Sequence, residues 1–315
     1  MVNWETTAFI FPGQASQEVG MGKDFADKYT IARETFEQAD DILGFSLSKM
    51  CWDGPEEDLN ATINTQPAIF VTSIAILRVL QQLSPSAIPA WVAGHSLGEL
   101  TALTAAGAMS FEDGVNLVRT RGRLMQQAGD ANPGAMAAIL ALDTSKVNEL
   151  CATVSEETGQ VVVLANDNCP GQIVVSGENE AIDRLIEIAP DAGARMAVKL
   201  AVSIAAHSPL MASASESFKE ALAETNLSEP KIPIYGNVNA TPLKTVSEIR
   251  EELNQQLTYS VRWTESMQGI IAAGAETFVE IGSKDVLSGL MKRIDRKQTR
   301  ISLNSVEALD AFLNS

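Results

Sequence analysis

Gly94-His95-Ser96-Leu97-Gly98 stands between a short apolar stretch, Pro89 to Ala93, and an alanine-rich helical run from Glu99. A Gly-x-Ser-x-Gly in that context allows few chain paths. Its glycines permit the close packing of a sharp strand-to-helix turn, and the serine is held at a strained apex beside a helix N-terminus. Without its flanks the motif also fits an ordinary glycine-rich turn. Thr6 to Phe11 reads as a second short buried strand, ended by Pro12-Gly13. From Gln66 to Leu83, apolar residues recur at helical spacing (Ile69, Ile74, Leu77, Leu80), and a helix over Phe111 to Gln127 starts after Ser110, with Asp113 completing a capping pattern. Strands alternating with helices predict an α/β fold with a parallel sheet.

Gly129 to Gly134 reads as a turn-rich break, after which the pattern changes. Strands at Ala135–Leu140, Val161–Ala165, Gln172–Ser176 and Arg195–Val202 enclose helices at Thr144–Thr158 and Glu180–Ala189. That order, βαββαβ, is the ferredoxin-like unit. Strand signals resume at Ile232–Tyr235, Thr277–Ile281 and Arg300–Leu303, with helices at Val246–Leu257, Glu265–Ala273, Val286–Ile294 and Val306–Leu313. The expected organisation is a discontinuous large α/β domain, 1–131 and 202–315, interrupted by a small ferredoxin-like domain, 132–201.

Charge and composition narrow the function. The 315 residues include 40 Asp and Glu against 23 Lys and Arg, a net charge of −17, which argues against nucleic acid or anionic lipid as partner. Cys51, Cys151 and Cys169 are far apart and, with only His95 and His207 in the chain, no metal-ligand spacing emerges; no metal is expected, and a reducing cytoplasm fits. The N-terminal residues lack a basic stretch and Ala8–Phe11 is too short for a signal-peptide core. Leu100–Met109, taken as the most continuous apolar region, falls short of a membrane span, so a soluble protein without membrane contact is expected.

Serine needs a base within hydrogen-bond reach to act as a nucleophile. His95 adjoins Ser96 on a tight turn, where a neighbour's side chain usually points elsewhere. A lone loop histidine is more often incidental than catalytic, but once Ser96 is accepted the lack of any other base makes His207, in Ala205-Ala206-His207-Ser208-Pro209, the candidate by elimination.

Seven motifs carry a resemblance over nearly the whole chain: Phe11-Pro12-Gly13-Gln14, Thr65-Gln66-Pro67-Ala68, Gly94 to Glu99, Arg121-Gly122, Gly134-Ala135-Met136-Ala137, Asn166 to Gln172, and Val261-Arg262-Trp263. Their order and spacing resemble those of the malonyl-CoA:acyl-carrier-protein transacylases. The resemblance implies an α/β-hydrolase-like parallel-sheet core with the ferredoxin-like insertion. It implies Ser96 as nucleophile, His207 as base, and the backbone N–H groups of Gln14 and Leu97 as oxyanion hole. A backbone carbonyl near Arg262 would orient the histidine, with His95 and Asn166 in support. Arg121 would grip the malonyl carboxylate, although Arg119, Arg121 and Arg123 at alternating positions also fit a solvated helix face. Malonyl-CoA is the implied substrate, acyl carrier protein the partner, fatty-acid synthesis the setting, and the chain a monomer without a tightly bound cofactor.

The acidic carrier calls for a local basic patch. Between Lys284 and Arg300 there are six basic residues against two acidic, and Lys284, Lys292 and Arg293 are the docking candidates; a solvated helix face is the plain alternative. The chain departs from the family pattern in four places. Ala15 replaces a common glycine, Ser260 a proline or small residue, and Gly282-Ser283-Lys284-Asp285 a Gly-Pro-Gly-Lys stretch. Ala206 stands where many malonyl-selective relatives carry phenylalanine, which leaves room for a methyl-branched substrate. The same residues also fit a polyketide acyltransferase acting in trans. An editing hydrolase is disfavoured by Arg121, and a non-catalytic carrier-binding module by the joint presence of Ser96, His207, Gln14 and Arg121.

Overall fold

Every residue of β1 (Thr7–Phe11) is buried because its two sides feed different cores. Phe9 and Phe11 join one core, with Phe70 and Leu103, while Ala8 and Ile10 join another, with Trp263 and Phe278. A strand covered on both faces is apolar throughout, without alternation. The computed structural model describes residues 2–202 and 204–314. The other strands are β2 (Trp91–Gly94), β3 (Gly134–Leu140), β4 (Val162–Cys169), β5 (Gln172–Glu178), β6 (Met196–Lys199), β7 (Ile234–Tyr235), β8 (Pro242–Leu243), β9 (Thr277–Ile281) and β10 (Thr299–Leu303). The larger sheet has the order β10-β9-β1-β2-β7-β8, parallel except for the antiparallel pair β7–β8. Phe11 lies opposite Gly94, so β1 and β2 end side by side, and the loops beyond them form the crevice where open α/β sheets bind ligands.

The helix Thr62–Leu83 is long and apolar enough to cross a membrane by length and composition, more so than the Leu100–Met109 stretch singled out from sequence. It packs instead against the helices Thr30–Leu43 and Phe111–Ala131, with 83% of its most apolar window buried.

The smaller sheet, β4-β5-β3-β6, is antiparallel throughout and has the ferredoxin-like order. On one face, Ala135, Ala137 and Ile139 pack under the helices Thr144–Thr158 and Asn179–Ile188 through Val147, Val154, Ile182 and Leu185. On the other, Met136 and Val174 turn toward the larger unit. Strand alternation thus gives the small sheet one face for its own core and one for a shared cleft.

Several sequence expectations change. Gly129 is no turn: the helix Phe111–Ala131 runs through it, and a Cβ there would lie 2.2 Å from the Ile204 side chain. Asn166 to Cys169 is no loop but the bulged end of β4. Helices Lys23–Lys28, Thr30–Leu43, Leu47–Asp53, Glu56–Asn60 and Ala212–Glu224, and strand β8, are additional.

β1 leads into a turn in which the Ser16 N–H donates to the Gly13 carbonyl (3.3 Å) and Ala15 takes φ 81°. Here lies the reason why glycine is common at that position. A left-handed alanine costs about 1–2 kcal/mol, partly offset by the extra unfolded-state freedom of glycine, about 0.4–1 kcal/mol. Ala15→Gly should therefore raise unfolding stability by about 0.5–1 kcal/mol in urea titrations; an unchanged or lower midpoint would show that the alanine is not strained.

Candidate active site

The elbow is shaped by atoms that glycine lacks. A Cβ on Gly94 would lie 1.9 Å from the Gly98 carbonyl, and one on Gly98 2.0 Å from the Phe11 carbonyl oxygen. Only glycine at both positions lets the start of the helix Leu97–Ala105 press onto the ends of β1 and β2. Ser96, between them, takes φ 50°, ψ −104°, a strained conformation at the helix start. Its backbone N–H donates to Asn237 Oδ1 (2.7 Å), and Asn237 Nδ2 donates to the Gly94 carbonyl (2.8 Å).

Ser96 Oγ lies 2.8 Å from His207 Nε2 and accepts from Arg121 Nη2 at 3.0 Å. His207 Nδ1 faces the carbonyls of Gln256 (2.8 Å) and Tyr259 (3.2 Å), which can only accept, so the ring proton sits on Nδ1 and Nε2 is left to accept from the serine. Gln256 ends the helix Val246–Gln256, where last-turn carbonyls lack intrahelical donors and the dipole favours positive charge. Of the two orienting carbonyls, that of Tyr259 lies near Arg262 in the chain and the nearer one, of Gln256, lies further off, while Arg262 itself takes no part. Arg262 caps the helix Trp263–Ala272, its carbonyl is taken by the Ser266 N–H (3.0 Å), and its guanidinium pairs with Glu265.

The helical period separates the three arginines. Two positions along a helix turn by about 200°, so Arg119 and Arg123 share a face while Arg121 points inward, in the row of Leu117, Leu124 and Met125. Arg119 is tied to the Ile63 carbonyl and Asn64, and Arg123 to Gln127. Arg121 is 1% exposed and donates to Gln66 Oε1 (2.9 Å) and, through Nε and Nη2, to Gln256 Oε1 (3.2 and 2.9 Å). Burial lowers its pKa to about 10, which leaves it cationic at neutral pH, and the nearby Glu99 works in the opposite direction.

These groups open onto a cleft of about 310 Å³ between the two sheets. Gln14 and Leu97 line it beside Ser96, and Leu97 opens its helix, where backbone N–H groups have no intrahelical partner. His95 and Asn166 also line it. His95 Nε2 lies 2.8 Å from Asn168 Oδ1 and its ring stands edge-on to Trp263, 5.5 Å between centroids. The Asn166 segment of β4 is bound to the larger unit through Val261, whose N–H donates to the Ala165 carbonyl (2.8 Å) and whose carbonyl accepts from the Asp167 N–H (2.9 Å). The far wall is apolar, with Met125, Met136, Val174, Ile204 and Ala206. Sequence reasoning missed Gln256 and Asn237, which come from distant segments with no motif of their own, and Asn168, which lies within the Asn166 to Gln172 motif, two residues from the Asn166 singled out there.

Of the basic candidates, Lys284 donates to the Gln17 carbonyl (2.9 Å), and Arg293 to Gln172 Oε1 (2.6 Å) and the Pro170 and Gly171 carbonyls (3.1 Å each). These two side chains serve internal contacts, Arg293 tying the helix Val286–Ile294 to the β4–β5 turn, while Lys292 is exposed. Among the described residues, no three His, Cys, Asp or Glu side chains group to hold a metal ion.

A parallel sheet ending in this elbow, with an inserted antiparallel sheet closing the cleft, defines an α/β-hydrolase-like acyltransferase architecture. The family described as the acyl transferase domain matches residues 8–303, and the chain belongs to that family. It is 43% identical over 308 residues to the malonyl CoA-acyl carrier protein transacylase of Bacillus subtilis, covering 98% of this chain and 96% of that protein. Among solved structures it is similar to an acyl carrier protein S-malonyltransferase from Vibrio cholerae, with TM-score 0.93 and 41% identity over 98% of this chain and 99% of that one. It is equally similar to a malonyl-transacylase solved in complex with a holo type II PKS acyl-carrier protein, with TM-score 0.94 and 39% identity over 98% and 99% of the two chains.

Burial pushes the His207 pKa down to about 3, and the Arg121 charge adds to the fall; burial likewise lowers that of His95. With two histidines in the chain, the imidazole region of an NMR spectrum holds two ring systems. Neither should titrate near the ordinary value of about 6.5, and Arg121→Gln should move the His207 midpoint upward. A His207 midpoint near that ordinary value in the unaltered protein would refute the assignment.

Proposed function

We propose that Ser96 is the nucleophile and His207 its base in a ping-pong transfer of malonyl groups. The protein transfers the malonyl group of malonyl-CoA to the phosphopantetheine thiol of acyl carrier protein, the loading step of fatty-acid synthesis. What carries the assignment of residues is the position of Ser96 Oγ, between His207 Nε2 at 2.8 Å and the buried Arg121 guanidinium at 3.0 Å.

Ser96 Oγ attacks the thioester carbonyl as its proton passes to His207 Nε2. The developing oxyanion is received by the N–H groups of Gln14 and Leu97; one such donor typically contributes about 2.7–4 kcal/mol. The C–S bond then breaks, and His207 returns the proton to the departing CoA thiolate. In the second half the carrier thiol gives its proton to His207, its sulfur attacks the malonyl ester, and Ser96 Oγ leaves with that proton. The imidazolium formed in between is stabilised by the carbonyls facing Nδ1 and by the helix end that bears one of them. A malonyl carboxylate on Arg121 offsets the Arg121 charge, the second-largest of the causes, after burial, that keep the free imidazole a weak base.

The division into 1–131 with 202–315 and an inserted 132–201 fits this cycle: the small unit walls the cleft and limits water while the ester waits. The carrier is proposed to approach along Val286–Ile294, whose Val286, Leu287 and Leu290 line the cleft and whose last turn holds Lys292 and Arg293. A cytoplasmic setting is supported by three free, buried cysteines. The solved complex with a polyketide carrier favours one second reading, delivery of the same malonyl unit to such a carrier by the same chemistry.

Incubation with malonyl-CoA should add one malonyl group to the protein by intact mass, and holo carrier should remove it. Ser96→Ala should abolish the adduct, and persistence of the adduct would move the nucleophile elsewhere. Arg121→Ala should lower malonyl loading by about 10- to 100-fold, as expected for loss of a charged hydrogen bond, while sparing acetyl loading; equal losses for both would remove the carboxylate clamp.

A further inference from the structure

Glu99, in the first turn of the elbow helix and 0% exposed, has no part in the steps above. Its Oε1 accepts the Asn237 backbone N–H (2.9 Å) and its Oε2 accepts Gln256 Nε2. Both donors lead on to reacting groups. Asn237 holds the Ser96 N–H with its side-chain oxygen, and Gln256 holds Arg121 with its own. Gln256 Nε2 also donates to the Ser96 carbonyl at 2.9 Å. We propose that Glu99 is a positioning residue: as a double acceptor it locks the Gln256 amide with its oxygen toward Arg121, and so aims the guanidinium at the acyl carboxylate beside Ser96. The proposal rests on the reading of Arg121 as the carboxylate clamp.

A guanidinium only donates, so Arg121 is held at this spot only while Gln256 presents oxygen to it. The amide's NH₂ then needs acceptors on its opposite side, and Glu99 with the Ser96 carbonyl are the ones in place. A carboxyl group is the side chain of this size that offers an oxygen to both neighbours, whereas glutamine offers one oxygen and one donor. Burial raises the Glu99 pKa well above the usual carboxylate range and the adjacent Glu252 raises it further, while the hydrogen bonds from Gln256 and the Asn237 N–H, and then the Arg121 charge, work in the opposite direction.

Glu99→Gln keeps size and shape and removes one acceptor. The Asn237 N–H belongs to a loop pinned by its own side chain and cannot turn, while the Gln256 side chain can, so the donor–donor mismatch falls on Gln256. Loading of malonyl and acetyl groups is measured by stopped-flow mass analysis for Glu99→Gln, Arg121→Ala, Gln256→Ala and the Glu99→Gln/Gln256→Ala double variant. In Glu99→Gln the malonyl kcat/KM should fall about 10- to 100-fold, the range of a charge-assisted hydrogen bond, with acetyl loading changed much less. In the Gln256→Ala background Glu99→Gln should leave the malonyl-to-acetyl ratio where Gln256→Ala alone puts it, the signature of two residues acting through one route. Equal losses for both acyl groups, or independent effects in the double variant, would overturn the positioning role. An unchanged ratio in Arg121→Ala would instead remove the clamp itself and the inference with it. A ratio moved by Arg121→Ala but not by Glu99→Gln would overturn the inference alone. Thermal melts accompany each variant; should Glu99→Gln not fold, Glu99→Ala, which withdraws the acceptor without presenting a donor, should shift the ratio in the same direction, and an unmoved ratio there would also overturn the proposal.

Discussion

The contact between the Gly98 backbone and the Phe11 carbonyl is the constraint on which the rest of the site depends. A Cβ there would sit 2.0 Å from that oxygen, so any side chain would push the elbow helix off the ends of β1 and β2. With the helix seated, Ser96 is driven to φ 50°, which costs of order 1–3 kcal/mol and persists only where neighbours hold it. Here the neighbour is Asn237, bonded to the chain before the apex, at Gly94, and at the apex itself, at Ser96. The same seating brings Leu97, with the open donors of a helix start, next to the turn that carries Gln14. Close backbone packing thus produces a projecting hydroxyl and a donor-lined hollow together.

A second constraint is electrical. Arg121 lies in the apolar row of its helix, where a charge without hydrogen-bond partners would be severely penalised. Its partners in the free protein are neutral oxygens of Gln66, Gln256 and Ser96, which solvate the cation without cancelling it. A direct carboxylate partner would have satisfied Arg121 more strongly and left it nothing to offer a substrate. Glu99 is kept one residue removed, behind Gln256, where it influences the guanidinium through the amide rather than by pairing with it.

Much of this was legible in the chain, and what was not has definite causes. The elbow, the central strands and the order of the small sheet follow from glycine placement and from apolar runs or alternation, which are local. Lys23–Lys28, Leu47–Asp53 and Glu56–Asn60 are too short to show a helical period, whereas Thr30–Leu43 carries one that was legible, with Ala32, Thr35, Phe36 and Ala39 on the face that packs toward Thr62–Leu83. Gly129 and the Asn166 segment misled in a common way, since residues typical of turns serve there for close packing and for a bulged strand end. Arg121 could have been separated from Arg119 and Arg123 by helical phase alone. The neighbourhood of Arg262 does supply a carbonyl to His207, from Tyr259, but the nearer one, of Gln256, is set by where Val246–Gln256 stops, and a helix end is the least legible feature of a sequence.

The two faces of the small sheet connect these constraints. One face must be apolar to carry its helices, and the other is also largely apolar, through Met136, Ala138 and Val174, although it borders a site for a small charged acyl group. That wall carries no charged group, its polar side chains being the amides of Asn166, Asn168 and Gln172, so the cation in the cleft that a malonyl carboxylate could meet is the proposed clamp, Arg121. It also keeps the local dielectric low, so one buried cation acts more strongly than it would in water. The burial that strengthens the clamp is the same burial that depresses His207, and the arrival of a carboxylate relieves part of that depression. Under the proposed roles of Arg121 and His207, recognition and activation are coupled through one charge. Arg121 offers the same charge to any carboxylated acyl group, so discrimination among such groups would fall to the apolar lining, where Ala206, beside His207, is small.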